Sequence, residues 1–230
     1  MNKEEVHARI EEIAIIPAVH VKSAEQARYA AESLHRAGTP IAEITMTVPG
    51  ALEVISDLVS RLPEMIVGAG TVLDAQTAER CVDGGTKFLT STGLVPEVVE
   101  FARKKGVLVI PGALTPSEVI HAWKAGADFV KIFPCAPLGG DAYIRALKAP
   151  FPQIPFVAAG GVNQQTTVSY ILAGAASRAW CGRRVDSKGS ARTQAGRACP
   201  RIGAAIPRKS QRSTRQNGGR TLGKYVGPIC

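Results

Sequence analysis

Lys131 stands inside the run DFVKIFPC, residues 128–135, where its neighbours from Phe129 to Pro134 are all apolar. Glu43 stands the same way inside IAEITMT, residues 41–47. Such runs read as strands buried on both faces, where an isolated charge is costly. A lysine drawn out of water spends more time as the neutral amine, and a neutral amine adds to ketones to form Schiff bases. The imine is an electron sink for breaking or making a carbon–carbon bond. A carboxylate beside it moves protons between water, carbinolamine and substrate carbon. Two blander readings fit the same spacing: a buried ion pair without catalytic consequence, or a lysine that snorkels to a rim.

These two residues must be positioned by the elements around them, and those elements repeat. Apolar, β-branched runs occupy residues 13–21, 41–47, 65–72, 87–93, 107–114, 128–135 and 155–162, most of them rich in Gly, Pro or Thr toward the end. Amphipathic stretches rich in Ala, Glu and Lys lie between them. SAEQARYAAESLHRAG (23–38) opens on Ser23 as N-cap with Gln26 three residues on, and closes on Gly38. TPSEVIHAWKAGA (115–127) has Thr115 as cap and Pro116 at the first helical position. VPEVVEFARKKG (95–106) ends in basic residues and Gly106, and residues 3–12 read as a short acidic helix. Strand and helix alternate at roughly 20–25 residues, which predicts an α/β fold with a parallel sheet and outer helices. The number of units favours a (β/α)8 TIM barrel over a doubly wound sheet, and no GxGxxG follows the first run.

In a parallel barrel the reactive groups gather at the C-terminal ends of the strands. Those ends offer Glu43, Thr45 and Thr47, then Gly68 to Thr71, Ser91 and Thr92, Pro111-Gly112, Lys131 and Phe133, and Gly160-Gly161-Val162-Asn163. Glycines there let backbone N–H groups approach an anion, although for any one of them tight-turn geometry is the favoured reading.

The net charge of +9 points at first to an acidic partner. Its distribution removes that reading: residues 177–230 hold thirteen of the 28 Lys and Arg and a single acid, Asp186. The basicity therefore belongs to a tail. Only Trp180 and Tyr225 interleave aromatics with its arginines, so no specific nucleic-acid partner is expected, only nonspecific affinity at low salt. No stretch approaches the apolar length of a membrane span, which predicts no membrane partner. Acids within MNKEEVHARIEE argue against a signal peptide, and a cytoplasmic location is expected. The cysteines at 81, 135, 181, 199 and 230 form no CxxC pair, so reduced thiols and no metal site are expected.

Together these stretches resemble the 2-keto-3-deoxy-6-phosphogluconate (KDPG) aldolases, a family that includes the 4-hydroxy-2-oxoglutarate (KHG) aldolases. The resemblance rests on EITMTVPGALEVI (43–55), IVGAGTVLDAQTAERCVDGGTKFLTSTG (66–93), VIPGALTPSEV (109–119), FVKIFPC with LGGDAYIRALKAPFP (129–152), and FVAAGGVN (156–163). It spans about residues 10–176, with the motifs in order. It implies a class I, Schiff-base aldolase without metal or other cofactor, a homotrimer acting on a small phosphorylated 2-keto acid. Lys131 is then the Schiff-base lysine and Glu43 the general acid/base. Thr71 and Phe133 shape the pyruvate pocket, Gly160 and Gly161 bind phosphate, and His20, Thr47 and Ser91 complete the substrate contacts. The aldolase of 2-dehydro-3-deoxy-6-phosphogalactonate, or an inactive remnant of the barrel, are the alternatives; another lyase or isomerase on the same scaffold is the reading from outside the family.

The chain departs from the family in places. His20 stands where members often carry Arg, Ser91-Thr92 where they have Ser-Pro, and Ala159 where they have Thr. Beyond residue 176 the pattern stops, where members continue with a further strand and a final helix. The expected division is a barrel domain over 1–176 and a basic tail over 177–230, disordered and without an eighth strand. A frameshift near residue 177, in the gene or its recorded sequence, accounts for the abrupt Arg/Gly/Ser bias. A seven-stranded remainder would expose two unpaired edges, be poorly stable and turn over little.

Overall fold

Asn2 opens the first helix with a capping box: its side chain accepts from Glu5 N–H and the Glu5 carboxylate accepts from Asn2 N–H. The computed structural model describes residues 1–181. Helix α1 (Lys3–Ile13) buries Val6 and Ile10 among Ile16, Ile41, Ile66, Phe88, Leu108 and Phe129, the residues at the N-terminal ends of the strands. It closes the bottom of the sheet. Lys3 Nζ lies 2.8 Å from Asp128 Oδ1, and His7 stacks on Phe129 at 4.3 Å between ring centroids. The other oxygen of Asp128 accepts from Val109 N–H at 2.9 Å. Asp128→Ala removes the counter-charge of Lys3 and the acceptor of a part-buried backbone N–H. It is expected to destabilise the chain by about 1–3 kcal/mol, read as a lower urea midpoint at unchanged slope.

Strands and helices then alternate: β1 (Ile16–Val19), α2 (Ala24–Arg36), β2 (Ile41–Thr45), α3 (Ala51–Arg61), β3 (Ile66–Gly70), α4 (Ala75–Asp83), β4 (Phe88–Thr90) and α5 (Pro96–Lys105). After them come β5 (Leu108–Ile110), β6 (Gly112–Ala113), α6 (Pro116–Ala125), β7 (Val130–Ile132), α7 (Asp141–Lys148), β8 (Phe156–Ala159), α8 (Thr167–Leu172) and β9 (Ala175–Cys181). The caps read from sequence are in place. Ser23 accepts from Gln26 N–H, Thr115 forms a capping box with Glu118, and Gly106 ends α5 at φ +66°.

Every strand pair is parallel, in the order β5-β4-β3-β2-β1-β9-β8-β7-β6. The two ends of that order are consecutive in the chain. Pro111 lacks an N–H to give to the ladder and so interrupts one strand into β5 and β6. Val109 and Pro111 carbonyls nevertheless accept from Asp128 and Lys131 N–H, at 3.0 and 2.9 Å. Residues 108–113 thus have β4 on one edge and β7 on the other, and the circuit of eight strands closes as a (β/α)8 barrel. Apolar residues on the outer face pack against the helices in two clusters, one under α2 to α5 and one under α6 to α8. Among the described residues no helix is long and apolar enough to cross a membrane.

One expectation is corrected. The segment AASRAWC forms the eighth barrel strand, β9, between β8 and β1. Its composition carries little β signal, so periodicity alone misses it. The facing edges of β1 and β8 would otherwise leave backbone N–H and C=O groups unpaired, and pairing with both outweighs local propensity. The bare barrel edges inferred from sequence are therefore not present. Residues 182–230, which carry the expected disorder of the tail and the doubtful final helix, lie outside the described residues.

Candidate active site

Lys131 is the middle residue of β7. Val130 and Ile132 on either side of it pack outward against the helices, so alternation turns Lys131 inward. Glu43 is the middle residue of β2, with Ala42 and Ile44 outward in the other cluster. Counted round the barrel, β2 and β7 are four strands apart in either direction, on opposite walls. Two long side chains from opposite walls meet near the axis: Lys131 Nζ lies 3.8 Å from Glu43 Oε1. Both residues are buried, at 5% and 1% exposure. The snorkelling alternative is thereby removed. Glu43 Oε2 makes no hydrogen bond among the described residues. A carboxylate with one oxygen toward an amine and the other uncommitted keeps an acceptor for a further partner.

Small neighbours make room for this pair. Glu43 is flanked in register by Ala18 and Gly68, and Lys131 by Gly112. A Cβ at residue 70 would lie 2.1 Å from Glu43 Oε1, and one at residue 68 would lie 2.1 Å from Phe88 Cζ. Glu43 and Phe88 thus occupy the space that Gly70 and Gly68 of β3 leave. Immediately after it, Thr71 has φ +59°, a left-handed conformation that is strained for a β-branched residue.

The other residues singled out by sequence fall into three places. His20 Nδ1 lies 3.1 Å from Thr45 Oγ1 and 2.9 Å from Thr47 Oγ1, and the two hydroxyls are 2.8 Å apart. His20 and Thr47 are exposed, so this cluster forms a polar rim. Phe133 stands over Lys131, its ring centroid 5.8 Å from Nζ, and Gly160 packs beneath the Phe133–Pro134 bend. Gly160 and Gly161 have φ +81° and +85°, and a Cβ at 161 would lie 2.1 Å from Ala136 Cβ. These two glycines allow a close approach of the loop after β8 to the end of β7. Ser91 is buried, and its hydroxyl donates to Gly93 O at 2.6 Å, bracing the loop after β4.

The model of the KDPG and KHG aldolase family matches residues 6–194. The chain belongs to this family. It is therefore an aldolase, a lyase of carbon–carbon bonds. The 2-dehydro-3-deoxy-phosphogluconate aldolase of Treponema pallidum (strain Nichols) is 32% identical over 162 residues, 70% of this chain and 77% of that protein. The KHG/KDPG aldolase of Escherichia coli (strain K12) is 31% identical over 157 residues, 68% and 74% of the two chains. Among solved structures, the KDPG aldolase of Legionella pneumophila superposes with a TM-score of 0.70 at 29% identity, covering 75% of this chain and 84% of that one. That protein holds pyruvate captured at low pH as a covalent carbinolamine intermediate.

Within this aldolase, sequence reasoning placed Thr45 at the reactive end of β2 but not among the substrate contacts. It passed over Cys135 and Tyr170. Burial pushes the Cys135 thiol up to about 11, and burial with Cys135 beside it pushes Tyr170 up to about 12. A thiol that stays protonated at neutral pH is a poor nucleophile, so Cys135 does not act as one there.

Proposed function

We propose that this aldolase cleaves 2-keto-3-deoxy-6-phosphogluconate to pyruvate and glyceraldehyde 3-phosphate through a Schiff base on Lys131, and that it also cleaves 4-hydroxy-2-oxoglutarate to pyruvate and glyoxylate. The observation that carries this reading is the buried Lys131–Glu43 pair, with 3.8 Å between amine and carboxylate. The Lys131 amine adds to the C2 ketone, and the carbinolamine loses water to give an iminium. The C3–C4 bond then breaks, its electron pair moving through C2 to the imine nitrogen, while Glu43 takes the proton of the C4 hydroxyl. The aldehyde leaves. Glu43 returns the proton to C3 of the enamine, and water hydrolyses the iminium to pyruvate and the free amine.

In this reading the rim of His20, Thr45 and Thr47 receives the substrate carboxylate by hydrogen bonds, without the two-pronged grip of an arginine. Phe133 and Thr71 border the pyruvate unit, and the loop of Gly160 and Gly161 receives the phosphate. A homotrimer is part of the proposal. It is supported by the family resemblance and by a cage designed by fusing symmetric oligomeric domains, which matches at TM-score 0.67 and 29% identity. Sedimentation in solution tests it.

The function is tested by following pyruvate release from the gluconate- and galactonate-derived 2-keto-3-deoxy-6-phospho acids and from 4-hydroxy-2-oxoglutarate. The gluconate-derived compound should release pyruvate fastest; a panel without pyruvate release contradicts the proposal. Gly70→Ala is a sharper probe of the geometry. The added methyl occupies the seat of the Glu43 carboxylate, so turnover should fall at least about tenfold, because a misplaced acid/base loses most of its advantage. Steady-state kinetics on the folded variant checks it.

A further inference from the structure

Thr90 is buried at 2% exposure, and its hydroxyl makes no hydrogen bond among the described residues. It lies on β4, where Phe88 belongs to the inner barrel cluster and Leu89 to the outer one. Alternation returns Thr90 to the inside, one step nearer the mouth than Phe88. The neighbouring strand is β3, paired through Gly68 with Phe88 and through Ala69 with Leu89, so the next residue along, Gly70, comes beside Thr90. Gly70 is the residue over which the Glu43 carboxylate sits. The inner wall thus carries two buried polar atoms without partners in one neighbourhood, Glu43 Oε2 and Thr90 Oγ1. Thr45, the other inward threonine near this level, is already committed to Val19 O and to the rim. A buried hydroxyl without a partner is unfavourable, whereas valine would fill the same volume without that penalty.

We infer that the Thr90 hydroxyl and the free oxygen of Glu43 together hold one hydroxyl-bearing group of the reaction, either the water that carries protons or the C4 hydroxyl of the substrate. This makes Thr90 a further catalytic residue of the aldolase site, resting on the Schiff-base reading of Lys131. A hydroxyl both accepts and donates. Thr90 can therefore donate to the oxygen of that group while the group's own proton points to Glu43. The proton that Glu43 takes when the C3–C4 bond breaks is then already aligned with its acceptor.

The test compares Thr90→Val, nearly the same shape without the hydroxyl, with Thr90→Ser, which restores it. Borohydride trapping of pyruvate on the wild-type chain reports on the Schiff base independently: without an adduct the Schiff-base reading falls, whatever Thr90 does. Given an adduct, Thr90→Val should melt no lower than wild type and still trap pyruvate. It should slow catalysis about tenfold or more in kcat rather than KM, and Thr90→Ser should recover most of that loss. Exchange of the pyruvate methyl protons with deuterated solvent distinguishes the sources. Slowing of both exchange and cleavage assigns the held group to water; slowing of cleavage alone assigns it to the substrate hydroxyl. A valine variant with wild-type exchange and cleavage, a serine variant that recovers nothing, or a valine variant that loses stability in step with activity overturns the inference.

Discussion

Lys131→Met should lower aldol cleavage by about three orders of magnitude or more, because the variant has no amine to form the imine on which bond cleavage depends. The same substitution also perturbs the fold. It leaves the Glu43 carboxylate buried without its counter-charge, a loss of about 3–5 kcal/mol when one partner of a buried pair is removed. The two effects separate in the double variant Lys131→Met with Glu43→Gln. Both charges are then gone, and stability should recover most of that loss, short of the wild-type value by about 1–3 kcal/mol for the buried amide without a partner. Activity should stay absent. Thermal melts beside cleavage assays on the two variants check this. A double variant no more stable than the single one shows that the buried pair is not the electrostatic unit described above.

Glu43→Gln is the second large effect. The amide has nearly the shape of the carboxylate and leaves the packing over Gly70 unchanged, but it does not accept a proton at neutral pH. Turnover should fall by about 10²–10⁴-fold, the range for loss of a positioned general base. The pyruvate adduct on Lys131 should still accumulate, more slowly, because carbinolamine formation needs the amine first and the proton carrier second. Exchange of the pyruvate methyl protons into deuterated solvent should fall in parallel with cleavage, since both pass through the same group. A glutamine variant that exchanges and cleaves normally removes Glu43 from the chemistry.

Much of this was legible because charge and pattern disagreed. A lysine and a glutamate stand out inside strands that are otherwise apolar on both faces, and strand ends in a parallel barrel share one face. Helix caps at Ser23 and Thr115 were equally plain, because capping is local. Three features were not legible. The eighth strand β9 has no amphipathic signal; its stability comes from pairing with β8 across the intervening helix and with β1 at the other end of the barrel, partners that no local window contains. The contributions of Gly68 and Gly70 depend on side chains from β4 and β2 that fill their missing volume, a relation visible only in three dimensions. Ser91 and Thr90 are adjacent and chemically alike in the sequence, and only strand phase shows that Thr90 faces the interior while Ser91 braces a loop. The frameshift proposed near residue 177 falls within β9, and most of the tail it would alter lies outside the described residues. The nucleotide sequence around codons 174–178 decides it: a single-base shift should restore an open family-like frame, and its absence rejects the idea.

In the proposed mechanism the amine of Lys131 is the nucleophile of a carbon–carbon lyase. Pyruvate and sodium borohydride added to the full chain, followed by proteolysis and mass spectrometry, test it most directly. A reduced pyruvate adduct should appear on the peptide that carries Lys131 and be absent from Lys131→Met. An adduct on another lysine, or no adduct in a chain that still releases pyruvate from its substrate, contradicts it.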